Sequence, residues 1–211
     1  MERESIYGAH LPELERVMQQ VMDRIGSIRE REKKIMDADP VEHCLCRIKS
    51  EESMREKCRR KGLEETPQSA IHEIKDAIGV RIVCSFVDDI YEIVRRIGTF
   101  EGCRIVEEKD YIRHNKPNGY RSFHLILEIL NSHEDVAGMV PGHFYAELQL
   151  RTIAMDSWAA LEHKMKYKKD IRNQELIVSE LKRCADELAS CDISMQTIRD
   201  LIRQSGKGEE R

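Results

Sequence analysis

Asp76-Ala77-Ile78-Gly79-Val80-Arg81-Ile82-Val83-Cys84-Ser85-Phe86 is an acid followed by a near-continuous apolar run. Val80 to Phe86 has the pattern of a strand buried on both faces, so the sheet it belongs to needs helices to cover it. A second acid has similar surroundings. In Tyr145-Ala146-Glu147-Leu148-Gln149-Leu150-Arg151-Thr152 the leucines alternate with Glu147, Gln149 and Arg151. With a period of two, the leucines face a core and the three polar side chains share the opposite face. Such a face lines a site if the strand is central, or meets water if it is an edge. Asp76 likewise reads either as a site acid or as a turn residue.

Working outward, Leu11, Leu14, Val17, Met18, Val21, Met22, Ile25 and Ile28 recur at steps of three and four, predicting an amphipathic helix to about Met36 that Asp39-Pro40 stops. Val41 to Lys49 reads as a strand. Ser50 caps a following helix that ends at Gly62. A short helix is expected over Gln68 to Lys75. Asp88 or Asp89 caps a helix through Ile90, Val94 and Ile97. Strands are expected at Cys103 to Tyr111, Tyr120 to Leu130 and His143 to Arg151. Ile153 to Tyr167 reads as a helix burying Trp158, Leu161 and Met165. Asn173 to about Gln204 is helical, and Ser205 to Arg211 is a polar tail. The fold class is therefore α/β (α+β): a mixed β-sheet of about five strands flanked by helices. It falls into an N-terminal helical extension (1–39), a central domain (40–170) and a C-terminal helical extension with its tail (171–211).

The chain carries 35 Lys and Arg against 39 Asp and Glu, a formal charge of −4. That balance argues against a general nucleic-acid or membrane surface binder. No apolar run is long enough to span a bilayer. Its seven cysteines are odd in number and form no Cys-x-x-Cys pair, which predicts a reducing, cytoplasmic setting rather than a disulfide framework. The spacing in His43-Cys44-Leu45-Cys46 fits no standard zinc set, so these cysteines read as buried strand thiols.

Positive charge is local, with seven Lys or Arg between Arg47 and Lys61 and four more from Lys109 to Arg121. Arg47 and Lys49 share a strand face, and Ser53, Lys57 and Arg60 share a helix face, a convergent set suited to a polyphosphate. The competing reading is a solvated charged helix, since Glu51, Glu52 and Glu56 are interspersed. Lys116-Pro117-Asn118-Gly119-Tyr120 is a turn that delivers an aromatic at its exit. It suits phosphate binding and base stacking, or simply a tight turn with a core tyrosine. Two acids backed by two basic clusters point to magnesium among nucleotide phosphates. No glycine-rich phosphate loop is present, so side chains must hold any nucleotide.

Five segments resemble the synthetase domain of the RelA/SpoT family, the GTP pyrophosphokinases. These are Arg47-Ile-Lys-Ser50, Asp76-Ala-Ile-Gly-Val-Arg81, Lys116-Pro-Asn-Gly-Tyr-Arg-Ser-Phe-His124, Glu147-Leu-Gln-Leu-Arg-Thr152 and Trp158-Ala-Ala-Leu-Glu-His-Lys164. They fall in the family's order and spacing from about residue 40 to 170. The resemblance implies a nucleotidyltransferase-like fold and transfer of the β,γ-pyrophosphate of ATP to the 3′-hydroxyl of GTP or GDP, giving AMP and pppGpp or ppGpp. It implies that Asp76 and Glu147 ligate Mg2+, with Glu147 also accepting the hydroxyl proton. Arg47, Lys49, Ser53, Lys57, Arg60 and Arg81 are expected to face ATP. Lys116, Asn118, Tyr120, His124, Gln149, Asp156 and Glu162 are expected to face the guanosine nucleotide, with Tyr120 stacked on guanine. The chain has no His-Asp dipeptide, the metal motif of the family's hydrolase domain, so it resembles the small, monofunctional alarmone synthetases. Other readings keep the chemistry but use adenosine nucleotides or a tRNA 3′ end as acceptor, or make the chain a silent nucleotide-binding regulator. A homo-oligomer, a tetramer, is expected because two apolar helix stripes exceed what one domain covers.

Overall fold

The computed structural model describes residues 4–36, 38–166 and 173–206. In chain order the main elements are α1 (Leu11–Met36), β1 (Val41–Ile48), α2 (Glu51–Lys61), β2 (Ile78–Cys84), α3 (Val87–Ile97), β3 (Cys103–Asp110), β4 (Phe123–Asn131), β5 (Gly142–Thr152), α4 (Ile153–Lys166) and α5 (Gln174–Gly206). The strands form one five-stranded sheet in the order β1-β2-β5-β4-β3. β2 and β5 run parallel, and the other neighbours are antiparallel. The mixed sheet expected from the sequence is present.

The register sorts the side chains. Ile78, Val80 and Ile82 stand opposite Ala146, Leu148 and Leu150, and all six are buried. On this face α1 adds Leu14, Val17, Val21, Ile25 and Ile28, and α3 adds Ile90, Ile93 and Ile97. Each buried aliphatic side chain contributes about 1.5–3 kcal/mol, so this layer holds the domain together. The opposite face carries Gly79 and Arg81 beside Glu147 and Gln149. β5 is central, which removes the wet-edge reading of its polar residues. The edge strand β3 carries Glu107, Glu108 and Lys109, charges that discourage pairing with another chain.

Several expectations need correction. α1 spends its apolar stripe on the core, leaving that face covered. The stripe left open is on α5, where Leu176, Ile193, Ile198, Leu201 and Ile202 are exposed. In α4, Trp158 is 4% exposed, but Leu161 is 56% and Met165 37% exposed. α4 turns Trp158, Ala159 and Glu162 inward, and Leu161 and Met165 fall on the other side. Phe86 occupies the cap position of α3, and Asp89, within the first turn, accepts the Phe86 N–H at 3.1 Å. The segment before β2 is a single π turn, Ser69–Glu73. β4 begins at Phe123, so Tyr120 lies in the preceding loop. Helix α5 continues through Ser205. The expected α4 end at Tyr167 and the tail residues 207–211 lie outside the described residues. Cys44 is half-buried, and burial pushes its thiol up to about 11, but Cys46 is exposed rather than buried.

The β4–β5 connection is tied by buried Asp135, which accepts N–H groups from Ala137 (2.8 Å), Met139 (3.2 Å) and His143 (2.9 Å). Burial opposes its charge, and these donors with nearby His72 outweigh it, so its pKa is lowered. The resulting stability is whole above the ordinary aspartate pKa of about 4 and is lost as pH falls through the lowered value. Asp135→Ala is expected to remove about 3 kcal/mol in urea unfolding at neutral pH, with the difference shrinking toward pH 3. Equal stability of the two proteins at pH 7 would contradict this role.

Candidate active site

Local structure brings the first basic cluster together. The Ser50 hydroxyl caps α2 by accepting the Ser53 N–H, and Gly62 ends the helix in the left-handed conformation. Lys49 follows β1 and donates its N–H to Ala77 O at 2.8 Å, which fixes it beside the approach to β2. Arg55, part of the same basic run, is structural: it is buried against Glu4 O and Glu65. The residues expected to face ATP, Arg47, Lys49, Ser53, Lys57, Arg60 and Arg81, all line one cleft of about 520 Å3 with Asp76, Glu147 and Gln149.

A second cleft of about 490 Å3 is lined by Lys61, Lys75, Lys109, Lys116, Tyr111 and His124, with Glu73 and Glu107. Lys57, Asp76 and Glu147 line both clefts. The two acids therefore stand at the junction of two cation-rich hollows, Glu147 on β5 opposite Gly79 and Asp76 just ahead of β2.

Each acid is held charged by its neighbours. Asp76 Oδ2 accepts from Lys49 Nζ at 2.6 Å and from Lys57 Nζ. Burial works against the Asp76 carboxylate, and the two ammonium groups outweigh it, so its pKa is lowered. Burial likewise lowers the pKa of Lys49 despite its pairing with Asp76. The Glu147 carboxyl is also lowered: burial and the charge of Asp76 oppose it, but His124 Nδ1 at 3.3 Å and Gln149 Nε2 at 2.9 Å prevail. Asp76 Oδ1 and Arg81 Nε are buried without hydrogen-bond partners. Orphaned polar atoms at such a junction suit a charged ligand.

The expected acceptor residues divide. Lys116 and His124 line the second cleft, and Gln149 lines the first. Tyr120 lines neither; it stands behind His124, its hydroxyl 2.8 Å from His124 Nε2 and accepting from Arg151 Nη2 at 2.9 Å. Tyr111, edge-on to Tyr120 at 6.0 Å, is the ring on the cleft wall. Asn118 braces its own loop, accepting the Tyr120 N–H and donating to Glu162. Asp156 bridges Arg151 Nη1 at 2.9 Å and Arg81 Nη1 at 3.3 Å. Lys61, Lys75, Lys109 and Tyr111 were missed. The alternation Glu107, Lys109, Tyr111, running from β3 into the residue just after it, would have placed three residues on one face.

Among the described residues no group of three or more His, Cys, Asp or Glu side chains could hold a metal by itself. No described helix is long and apolar enough to cross a membrane.

The profile of the region found in RelA / SpoT proteins matches residues 46–172. The chain is 46% identical over 149 residues to GTP pyrophosphokinase YwaC of Bacillus subtilis (strain 168), covering 70% of this chain and 69% of that one. It is 34% identical over 169 residues to GTP pyrophosphokinase YjbM of the same organism, covering 80% and 77%. The crystal structure of the small alarmone synthetase 1 from Bacillus subtilis bound to its product pppGpp superposes with a TM-score of 0.78 at 28% identity, covering 92% of this chain and 96% of that one. The matched region contains both acids, the whole lining of the second cleft and all of the first but Leu45, and the chain belongs to the RelA/SpoT family.

Proposed function

We propose that this chain is a GTP pyrophosphokinase, transferring the β,γ-pyrophosphate of ATP to the 3′-hydroxyl of GTP or GDP and releasing AMP with pppGpp or ppGpp. One observation carries the reading: two separate cation-lined clefts share Asp76 and Glu147. A transfer between two nucleotides needs two polyphosphate sites and a common charged centre, and it depends on alignment and charge neutralisation more than on covalent help.

In this reading the first cleft takes ATP. Arg47, Arg60 and Arg81 offer planar guanidinium groups to phosphate oxygens, and Lys49 and Lys57 add compact charges. The second cleft takes the guanosine nucleotide. Lys116 faces its phosphates, and the Tyr111 ring on the cleft wall, backed by Tyr120, offers the stacking surface. Asp156 and Glu162 act through their partners: Asp156 orients Arg81 and Arg151, and Glu162 braces Asn118.

Asp76 and Glu147 are the residues that would hold Mg2+, and the partnerless Asp76 Oδ1 fits that role. Two carboxylates leave the remaining positions to phosphate oxygens and water, the usual magnesium arrangement. When bound, the ion supplies charge neutralisation on the transferred group. Glu147 is kept ionised and within reach of His124, so its carboxylate can take the 3′-hydroxyl proton while His124 and Gln149 orient it.

The seven free cysteines suit a reducing, cytoplasmic compartment. We further infer a homo-oligomer, a tetramer, from the exposed stripe on α5. Light scattering at micromolar concentration should give a multiple of the chain mass of 24.6 kDa; a monomeric mass would remove this claim.

Incubation with ATP, magnesium and GTP or GDP should yield AMP and a 3′-pyrophosphorylated guanosine nucleotide on ion-exchange separation. Clean transfer to adenosine nucleotides or tRNA alone would overturn the assignment. No hydrolysis of ppGpp is expected.

Asp76→Asn and Glu147→Gln each keep side-chain size and remove a charge at the junction, so kcat should fall roughly a hundredfold or more in folded protein. Near wild-type turnover in either variant would move the centre elsewhere.

Tyr111→Ala removes the cleft-wall ring, worth about 1–3 kcal/mol of stacking, so the acceptor KM should rise while ATP binding holds. Arg60→Ala, at a residue that lines only the first cleft, should weaken ATP first. Separate titrations of the two nucleotides check both; a reversed pattern would exchange the two clefts.

A further inference from the structure

We propose that Arg121 is a positioning residue for the acceptor nucleotide, transmitting the docking of α5 to the loop that carries Lys116 and Tyr120. The inference rests on the acceptor reading of the second cleft. Arg121 lines neither cleft. Its Nη1 donates to Ala185 O at 3.1 Å and to Gly119 O at 3.3 Å, and its Nη2 donates to Asp186 Oδ1 at 2.9 Å. One guanidinium thus joins the backbone of the loop to the backbone and a side chain of α5.

The contact behind the loop is close. Gly119 has φ +90°, and a Cβ there would stand 2.6 Å from Ala185 Cβ and 3.2 Å from Lys182 Cα. Only glycine allows this approach without strain. The loop is closed on itself by Gly119 N–H to Lys116 O at 2.8 Å and Lys116 N–H to Tyr120 O at 3.2 Å. Trp158 Nε1 donates to Leu181 O at 2.8 Å, and Tyr120, Leu181 and Leu188 pack around this junction. The ammonium of Lys116 then lies over the Tyr111 and Tyr120 rings, at 4.6 and 4.8 Å.

α5 is anchored independently beyond the loop. Thr152 Oγ1 donates to Asp192 at 2.6 Å, and Arg199 pairs with Asp88 and Asp89, each at 3.2 Å. Removing the Arg121 guanidinium therefore releases the loop while α5 stays on the domain and the first cleft keeps its lining. A misplacement of the acceptor of about 1 Å is enough to slow transfer greatly.

The test is steady-state kinetics on wild type, Arg121→Met, Arg121→Lys and Asp186→Asn, with melting curves and the fluorescence of Trp158, the one tryptophan of the chain. Arg121→Met should raise the acceptor KM about tenfold with the ATP KM changed by less than about twofold. Arg121→Lys should recover part of the loss. Asp186→Asn should raise the acceptor KM more modestly, and combining it with Arg121→Met should add nothing. Equal rises for both nucleotides, additive losses in the pair, or an unchanged acceptor KM would each overturn the proposal. Should Arg121→Met fail to fold, half-buried Asp186→Asn decides alone by the acceptor KM. A wild-type protein inactive on every guanosine nucleotide would instead count against the function proposed above, and this inference would fall with it.

Discussion

The parallel pairing of β2 with β5 places a carboxylate on a central strand and another at the entry to its neighbour, both on the face away from the core. Two acids so placed repel each other and lose hydration, a combination that persists only with compensating partners. Lys49 and Lys57 answer Asp76, and His124 and Gln149 answer Glu147. The arrangement of the surrounding elements follows from this demand. β1 and α2 bring the lysines, β4 brings the histidine, and the apolar face of the same strands must be closed by α1 and α3.

The polar face is continuous from one cleft to the other. Arg81 reaches Asp156, Asp156 holds Arg151, Arg151 reaches the Tyr120 hydroxyl, and Tyr120 meets His124 beside Glu147. Donors and acceptors alternate along this route, so each charged group on it has a polar partner. Connected polar groups of this kind fix one another's rotamers, with Arg81 Nε left over beside the first cleft. That rigidity is what a reaction dependent on alignment requires.

The centre of the sheet was legible in the sequence because strand periodicity is local. Alternation around Glu147 and the apolar run after Asp76 state their faces outright, and the lysines of β1 and α2 follow from i, i+2 and i, i+4 spacing. The less legible parts depend on packing between distant segments. Tyr120 sits behind His124 because Trp158 and α5 occupy the space beside it, a fact no nearby residue encodes. Asn118 and Glu162 read as pocket residues from family position, yet they meet each other. The stripes of α1 and α5 look alike as patterns. Only the sheet decides that α1 is covered and α5 is open.

β5 is the last strand in the chain and the middle strand of the sheet. Until it enters between β2 and β4, those two strands have an unfilled gap between them and the two acids have no fixed relation. The pairing of β2 with β5 spans the whole segment that carries α3, β3 and β4, a long loop to close before its contacts form. A chain emerging vectorially thus completes its first strands while the site is still open. Assembly of the domain and assembly of the reaction centre are one event, and a chain lacking the final strand would have neither cleft complete and no chemistry to perform.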